Sequence, residues 1–149
     1  MKRASDALKT AERSYMNDHL KSNITIFHCI NAFSGDDVSA GPAVDGLTLK
    51  TVKMACSSMV KDVFLLRAFE SGADAVVVLV CPEGQCRYIE GNIRAQKRVA
   101  WVKKLLDEID LDARRLTIHP IAAGNVEQVD QILRQVSATL AELGPSPAK

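Results

Sequence analysis

The fold of this chain is decided by the stretch ADAVVVLVCPEGQC, which spans residues 73–86. Residues 75–80 are apolar at every position, as expected of a strand whose two faces are both covered by helices. A loop then separates Cys81 from Cys86 and contains Pro82 and Gly84. The stretch therefore predicts a buried strand of a parallel sheet that ends at a cysteine.

Strand and helix patterns alternate around this stretch. Three more strands are predicted at residues 23–29, 49–55 and 115–121. Helical spacing of apolar residues predicts helices from Asp62 to Gly72, over 92–109 and over 126–142. The alternation predicts an α/β fold: a single flavodoxin-like domain with a parallel sheet of about four strands in the order 2-1-3-4 and helices on both faces.

Each predicted helix has an apolar stripe that we expect to face the sheet. The expected buried residues are Val63, Leu66 and Phe69 in the first helix, Val99, Val102, Leu106 and Ile109 in the second, and Val129, Ile132, Leu133, Val136 and Leu140 in the third. A weaker stripe of Ala4, Leu8, Ala11 and Tyr15 indicates a further helix over residues 3–20. We therefore divide the chain into an N-terminal helical extension (1–22), an α/β domain (23–143) and a flexible tail (144–149).

Composition narrows the class of protein. The chain has 149 residues, a net charge of +1, 47% hydrophobic residues and 25% charged residues, which is ordinary for a globular domain. The near-zero charge gives no reason to expect nucleic acid as a partner, and no apolar run is long enough for a membrane span. The N-terminal residues lack the apolar segment of a signal peptide. We expect a cytoplasmic protein whose thiols stay reduced.

All four cysteines fall at or just beyond the ends of predicted strands: Cys29, Cys56, Cys81 and Cys86. The carboxyl ends of parallel strands meet at one rim of the sheet, which is where open α/β folds bind ligands. A single cysteine at a strand end is usually a small buried hydrophobe, but four at one rim predict a site for a soft metal. Zinc and an iron–sulfur cluster both remain open at this point.

Other chemistry is less well supported by the sequence. The glycines form no dinucleotide or phosphate-binding motif, and no serine or cysteine lies in a recognisable nucleophile setting. A thiol-based enzyme stays a third alternative, which requires a reactive cysteine of low pKa. We interpret His28 and His119 as structural, or as donors that orient the thiol site. The basic helix face from Arg94 to Lys104 is either simply solvated or a docking surface for an acidic partner.

Three spaced motifs carry a resemblance to a known family. They are L-x-x-A-F-E-x-G-A-D from residue 65, C-x-x-G-x-C-x-Y from residue 81, and G-N-x-x-A-x-x-R-V from residue 91. Together with the opening ITIFHCINAF, they resemble the delta subunit of methyl-viologen-reducing hydrogenase. The resemblance covers about residues 23 to 142. Members of this family also occur in complexes related to heterodisulfide reductase.

The resemblance implies a [2Fe–2S] protein without catalysis of its own, with Cys29, Cys56, Cys81 and Cys86 as cluster ligands. The implied role is electron transfer in a multi-subunit complex, of which electron-bifurcating complexes are one type. The implied partners are a hydrogenase, formate dehydrogenase or other redox module and a flavin-containing, heterodisulfide reductase A-like subunit. The protein would then work as part of a hetero-oligomer.

The chain departs from the family pattern at four positions. Ala32 replaces a usual cysteine, Pro82 and Arg87 replace usual histidines, and Met59 replaces a frequent arginine. Four thiols remain, the number that an all-cysteine [2Fe–2S] cluster needs. The alternative is a structural adaptor that holds zinc or no cluster, for example in a tungsten-dependent benzoyl-CoA reductase complex.

Overall fold

The computed structural model of the protein describes residue 7, residues 22–32 and residues 46–148. Four strands and three longer helices follow one another there: β1 (Ser22–Cys29), β2 (Leu47–Met54), α1 (Asp62–Glu70), β3 (Ala75–Val80), α2 (Gly91–Glu108), β4 (Leu116–Pro120) and α3 (Val126–Leu143). The predicted helix over residues 3–20 and the loop before β2 lie outside the described residues, apart from residue 7 and Gly46. No helix in the described ranges is long and apolar enough to cross a membrane.

The strands form one sheet in the order β2-β1-β3-β4, and every neighbouring pair is parallel. Ile24 of β1 lies opposite Leu49 of β2 on one side and opposite Ala75 of β3 on the other. The predicted α/β class and strand order are therefore confirmed. This order makes β1 and β3 direct neighbours at the centre of the sheet.

Helices cover both faces of the sheet, and β3 supplies side chains to both. Val76 and Val78 pack in the core under α1 and α2, while Val77 packs in the core under α3. All six residues of β3 are buried, which explains why this strand has no polar position. The predicted buried face of α3 is confirmed at all five positions.

The predicted faces of the other two helices are wrong in part. Helix α1 buries Leu65, Ala68 and Phe69, while Val63 and Phe64 are exposed. Apolar residues occur at four successive positions, 63–66, so their spacing fitted more than one face. In α2 the expected residues are buried except Ile109, which follows the last helical residue and is exposed.

A buried arginine holds the end of the chain against the sheet. Arg115 Nη1 donates to the carbonyl oxygen of Asp74 at 3.1 Å, and its Nη2 donates to that of Gly144 at 3.0 Å. The Asp74 carboxylate accepts hydrogen bonds from the backbone N–H of Ser146 and of Asn23, at 2.9 and 2.8 Å. Residues 144–146 of the predicted flexible tail are thus held in place. The rest of the division into extension, domain and tail stays a prediction.

Replacing Arg115 with alanine should lower the free energy of unfolding by about 3 kcal/mol, because buried carbonyl groups then lose a charged donor. Urea unfolding followed by circular dichroism measures this change. Arg114→Ala is the matched control, since Arg114 is exposed and its ion pairs with Asp112 and Glu142 lie in solvent. Equal urea midpoints for the two variants would show that the contacts of Arg115 with the tail contribute nothing to stability.

Candidate metal centre

Two of the four thiols meet where the central strands end. Cys29 is the last residue of β1, and Cys81 directly follows β3, its neighbour in the sheet. Their Sγ atoms lie 3.7 Å apart, and both side chains are almost fully buried. Strand pairing alone therefore produces this first thiol pair. The Cys29 Sγ also lies 4.0 Å from the carbonyl oxygen of Ala55, in the chain segment that leads to Cys56.

The other two thiols meet at the first residue of α2. Cys56 lies between β2 and the 3-10 turn Ser57–Met59, and Cys86 lies in the loop between β3 and α2. A Cβ atom added to Gly91 would come within 2.3 Å of the Cys56 Sγ and 3.1 Å of the Cys86 Sγ. Both thiols thus pack against the backbone of Gly91. The loop does return Cys86 to the rim, as the sequence predicts.

The two thiol pairs lie close enough to interact electrostatically. The pKa of Cys81 is raised to about 12, first by burial and then by a hydrogen bond and charge repulsion from Cys29. Cys86 and Cys56 raise it further through their charges. A metal cation would remove this penalty, because it stabilises the thiolate form.

The free thiols are arranged as pairs and not as one tight set. In the ranges that the structure describes, no three histidine, cysteine or acidic side chains are placed to hold a single metal ion. The position of Ala32, the departure from the family pattern, is buried in the same apolar core as Cys29 and Cys81. Since the chain has four cysteines in all, the site has no fifth thiol to draw on.

Cys86 differs from Cys81 because backbone groups favour its charged form. Its pKa is lowered from 9.0: burial raises it, but hydrogen bonds from the backbone N–H groups of Tyr88, Asn92 and Gly91 outweigh burial. Two of these donors belong to the first turn of α2, whose N–H groups and dipole both attract a negative charge. The start of α2 thus acts as a thiolate-binding element.

In folded, metal-free protein we expect iodoacetamide to modify Cys86 first, because it is the least buried of the four and its pKa is lowered. Cys81 should react slowest at pH 8, since its raised pKa leaves it almost fully protonated there. Peptide mass spectrometry over a time course measures the order. Loading with metal should protect all four residues; rapid alkylation of Cys86 without metal loss would instead support a thiol enzyme.

Three residues that position the thiols were not singled out as functional from the sequence. The Asn92 side chain is fully buried and donates from Nδ2 to the carbonyl oxygens of Cys81 and Pro82, both at 3.1 Å. Arg98 donates to the carbonyl oxygens of Ser58 and, at 3.0 Å, Val60, which ties the segment after Cys56 to α2. Gly91, Asn92 and Arg98 are named residues of the G-N-x-x-A-x-x-R-V motif, so the signal was present in the sequence.

We expect Asn92→Ala to cost about 1–3 kcal/mol of unfolding free energy, because two buried carbonyl groups lose their donor. The Cys81–Cys86 loop should also show faster amide hydrogen exchange. Gln96→Ala is the control, since Gln96 is an exposed residue of the same helix. Unchanged exchange in residues 82–90 of the Asn92 variant would contradict a positioning role.

Both histidines that the sequence singled out lie in strands of the sheet, and their structural or orienting role stays a prediction. His28 is buried within β1, and His119 lies in β4 opposite Leu79. The pKa of His119 is lowered, first by burial and then by the charge of Lys103. His119 is therefore neutral at pH 7 and adds no positive charge to the fold.

Comparison with known proteins gives the family of the chain. Residues 24–144 match the FlpD family, described as methyl-viologen-reducing hydrogenase, delta subunit. The chain belongs to this family. The matched range contains both thiol pairs and all three positioning residues, Gly91, Asn92 and Arg98.

Individual relatives of this FlpD-family chain are of two kinds. It is 33% identical over 102 residues to the vhu iron-sulfur subunit of the F420-non-reducing hydrogenase of Methanocaldococcus jannaschii, covering 68% of this chain and 76% of the relative. It is 34% identical over 98 residues to the corresponding iron-sulfur subunit of Archaeoglobus profundus, covering 66% and 72%. It is also 35% identical over 97 residues to the A component of a CoB-CoM heterodisulfide reductase of Methanosarcina acetivorans, covering 65% of this chain but 12% of that protein.

Proposed function

We propose that this chain is a non-catalytic [2Fe–2S] electron-transfer subunit of a hydrogenase or heterodisulfide reductase complex. The observation that carries the proposal is the convergence of four thiols, in two pairs, at the carboxyl ends of the strands. Family membership supports it, and so do the relatives that are named iron-sulfur subunits. We expect such a protein to be cytoplasmic.

The residues fit a two-iron cluster. A tetrahedral metal with bonds of about 2.3 Å holds two thiolates about 3.8 Å apart, and the Sγ atoms of Cys29 and Cys81 are 3.7 Å apart. We propose that these two hold one iron and that Cys56 and Cys86 hold the other. The absence of a side chain at Gly91 leaves the second pair room to approach. Paired thiols suit two irons better than a single zinc ion.

The chain's own residues would control the electron that the cluster carries. Burial of the first pair excludes water, which disfavours added negative charge and lowers the reduction potential. Hydrogen bonds from the first turn of α2 to Cys86 act in the opposite direction, because they stabilise negative charge on sulfur. Asn92 fixes the loop that joins the two pairs.

The second kind of relative supports the choice of partner. In Methanosarcina acetivorans the related segment is part of the A component of a heterodisulfide reductase. We infer that the present chain meets a separate, flavin-containing subunit of that type and accepts electrons from a hydrogenase, formate dehydrogenase or other redox module. Electron-bifurcating complexes are one such setting.

Ala32 is the observation that favours the second candidate function. It occupies a buried position, in the same apolar core as Cys29, where the family usually has a cysteine. A chain that had lost cluster binding would serve as a structural adaptor with zinc or no metal, for example in a tungsten-dependent benzoyl-CoA reductase complex.

Metal analysis separates the two candidates. After anaerobic purification, iron, acid-labile sulfide and zinc are measured, and an EPR spectrum is recorded after reduction with dithionite. The electron-transfer role predicts two irons and two sulfides per chain and a signal from the reduced cluster. Stoichiometric zinc without iron or sulfide would refute the electron-transfer role and favour the structural adaptor.

A further inference from the structure

A long groove lies on the face of the sheet between β2 and α1. Its volume is about 670 Å³. Asn23 and Gly72 line one end, where the strands begin, and Ala55 and Met59 line the other, beside Cys56. The groove thus follows β2 from Thr48 to Met54, a distance of about 20 Å along the strand. Such dimensions suit an elongated occupant.

The walls of the groove favour a helix over an added strand. Lys53 borders it, and four alternate residues of β2 line it: Thr48, Lys50, Val52 and Met54. These side chains belong to one face of the sheet, whereas an added strand would pair with the edge backbone of β2. Met59 and Phe64 also line the groove and are 54% and 42% exposed. Apolar side chains in an open groove are typical of helix-binding sites.

The charges of the groove have one sign. Lys50, Lys53 and Arg67 line it, and no acidic residue does so among the residues that the structure describes. Within the described residues, none of these three basic side chains forms an ion pair. The chain's own residues 1–21 suit this groove poorly, because they contain five basic and three acidic residues. Residues 33–45 are acidic, but two glycines and a proline make them a poor helix former. The groove is complementary to a helix with an apolar stripe and acidic flanks.

We propose that this groove binds an acidic amphipathic helix of the heterodisulfide reductase A-like partner. The proposal rests on the proposed function for the identity of the partner. A helix seated there would end beside Ala55, whose carbonyl oxygen lies 4.0 Å from the Cys29 Sγ. Docking in the groove therefore places the partner next to the thiol site.

A charge-reversal comparison tests the groove. The probe is the heterodisulfide reductase A-like protein from the same organism, and its Kd for the full-length chain is measured by isothermal titration calorimetry. Lys50→Glu combined with Arg67→Glu should weaken binding about tenfold. Lys97→Glu combined with Lys104→Glu is the control, because it makes the same charge change on the exposed basic face of α2. The proposal predicts no change in Kd for this control.

Two results would overturn the groove as the docking site. One is a Kd that rises with the α2 control but not with the groove variant. The other is a lower Tm of the isolated groove variant with unchanged partner affinity, which would mean that another segment of the chain, residues 1–21 or 33–45, fills the groove. Phe64→Ser offers a second, uncharged variant, and it should also weaken binding.

Iron content and EPR separate this proposal from the proposed function. The groove variant should keep the iron content and spectrum of the unmodified protein, since none of its substituted residues touches a thiol in the described structure. If the unmodified protein contains no iron and the groove variant still loses partner affinity, the electron-transfer role is refuted and the docking groove stands. If the unmodified protein carries a full cluster and the groove variant binds the partner normally, the docking groove is refuted and the electron-transfer role stands.

Discussion

Gly91→Ala should abolish metal loading at the thiol site. The new Cβ would lie 2.3 Å from the Cys56 Sγ, where non-bonded atoms do not approach, and 3.1 Å from the Cys86 Sγ. Cys56 has a single side-chain torsion, so its sulfur can avoid the Cβ only by changing rotamer, which turns it away from the site. Three thiols would then remain, one fewer than an all-cysteine cluster needs. Iron and sulfide analysis after anaerobic reconstitution measures the loss.

Gly84→Ala is the matched control for this effect. Gly84 belongs to the same loop and has a φ of +79°, yet a Cβ at this position would contact nothing within 4 Å. The control therefore strains the backbone near Cys86 without touching a thiol, and it should retain its iron while unfolding at slightly lower urea. Normal iron content in the Gly91 variant would show that Cys56 is not a ligand.

The fold and the convergence of the thiols were both predictable, and for the same reason. The six apolar residues of β3 required helices on both faces, and parallel strands place all their carboxyl ends at one rim. With the order 2-1-3-4, Cys29 and Cys81 had to follow neighbouring strands. No knowledge of side-chain packing was needed for this step.

The details of the site depended on packing that no periodicity shows. Nothing in the spacing of residues indicates that Gly91 touches two sulfurs, or that the Asn92 amide reaches back to the carbonyl of Cys81. These contacts join residues from different elements, so they exist only once the helix is docked on the sheet. The buried face of α1 was mispredicted for a different reason: apolar residues at four successive positions, 63–66, fit more than one face of the helix.

Cys81→Ser and Cys86→Ser should both remove the normal cluster, but the two variants should differ in how much iron they retain. Cys81 is buried and paired with Cys29 at 3.7 Å, so its loss leaves one iron with a single thiolate in a dry site, and we expect no cluster at all. Cys86 lies in a partly exposed loop, where hydrogen bonds from the start of α2 favour a charged ligand. A serine oxygen there can retain some iron weakly, with a shifted EPR signal and a lower reduction potential.

Reconstituted variants compared by EPR and iron analysis measure this difference, and Ser58→Ala is the control because it changes a side chain near Gly91 that is not a thiol. The control should keep two irons and an unchanged spectrum. If each cysteine variant instead binds one zinc as tightly as the unmodified chain does, the four thiols do not act as one ligand set. If only Cys86→Ser changes the chemistry of the protein while Cys29→Ser and Cys81→Ser leave it intact, a single reactive thiol explains the site better. Loss of the normal two-iron cluster in all four single variants, with folding preserved by circular dichroism, is the result that two thiol pairs on two irons require.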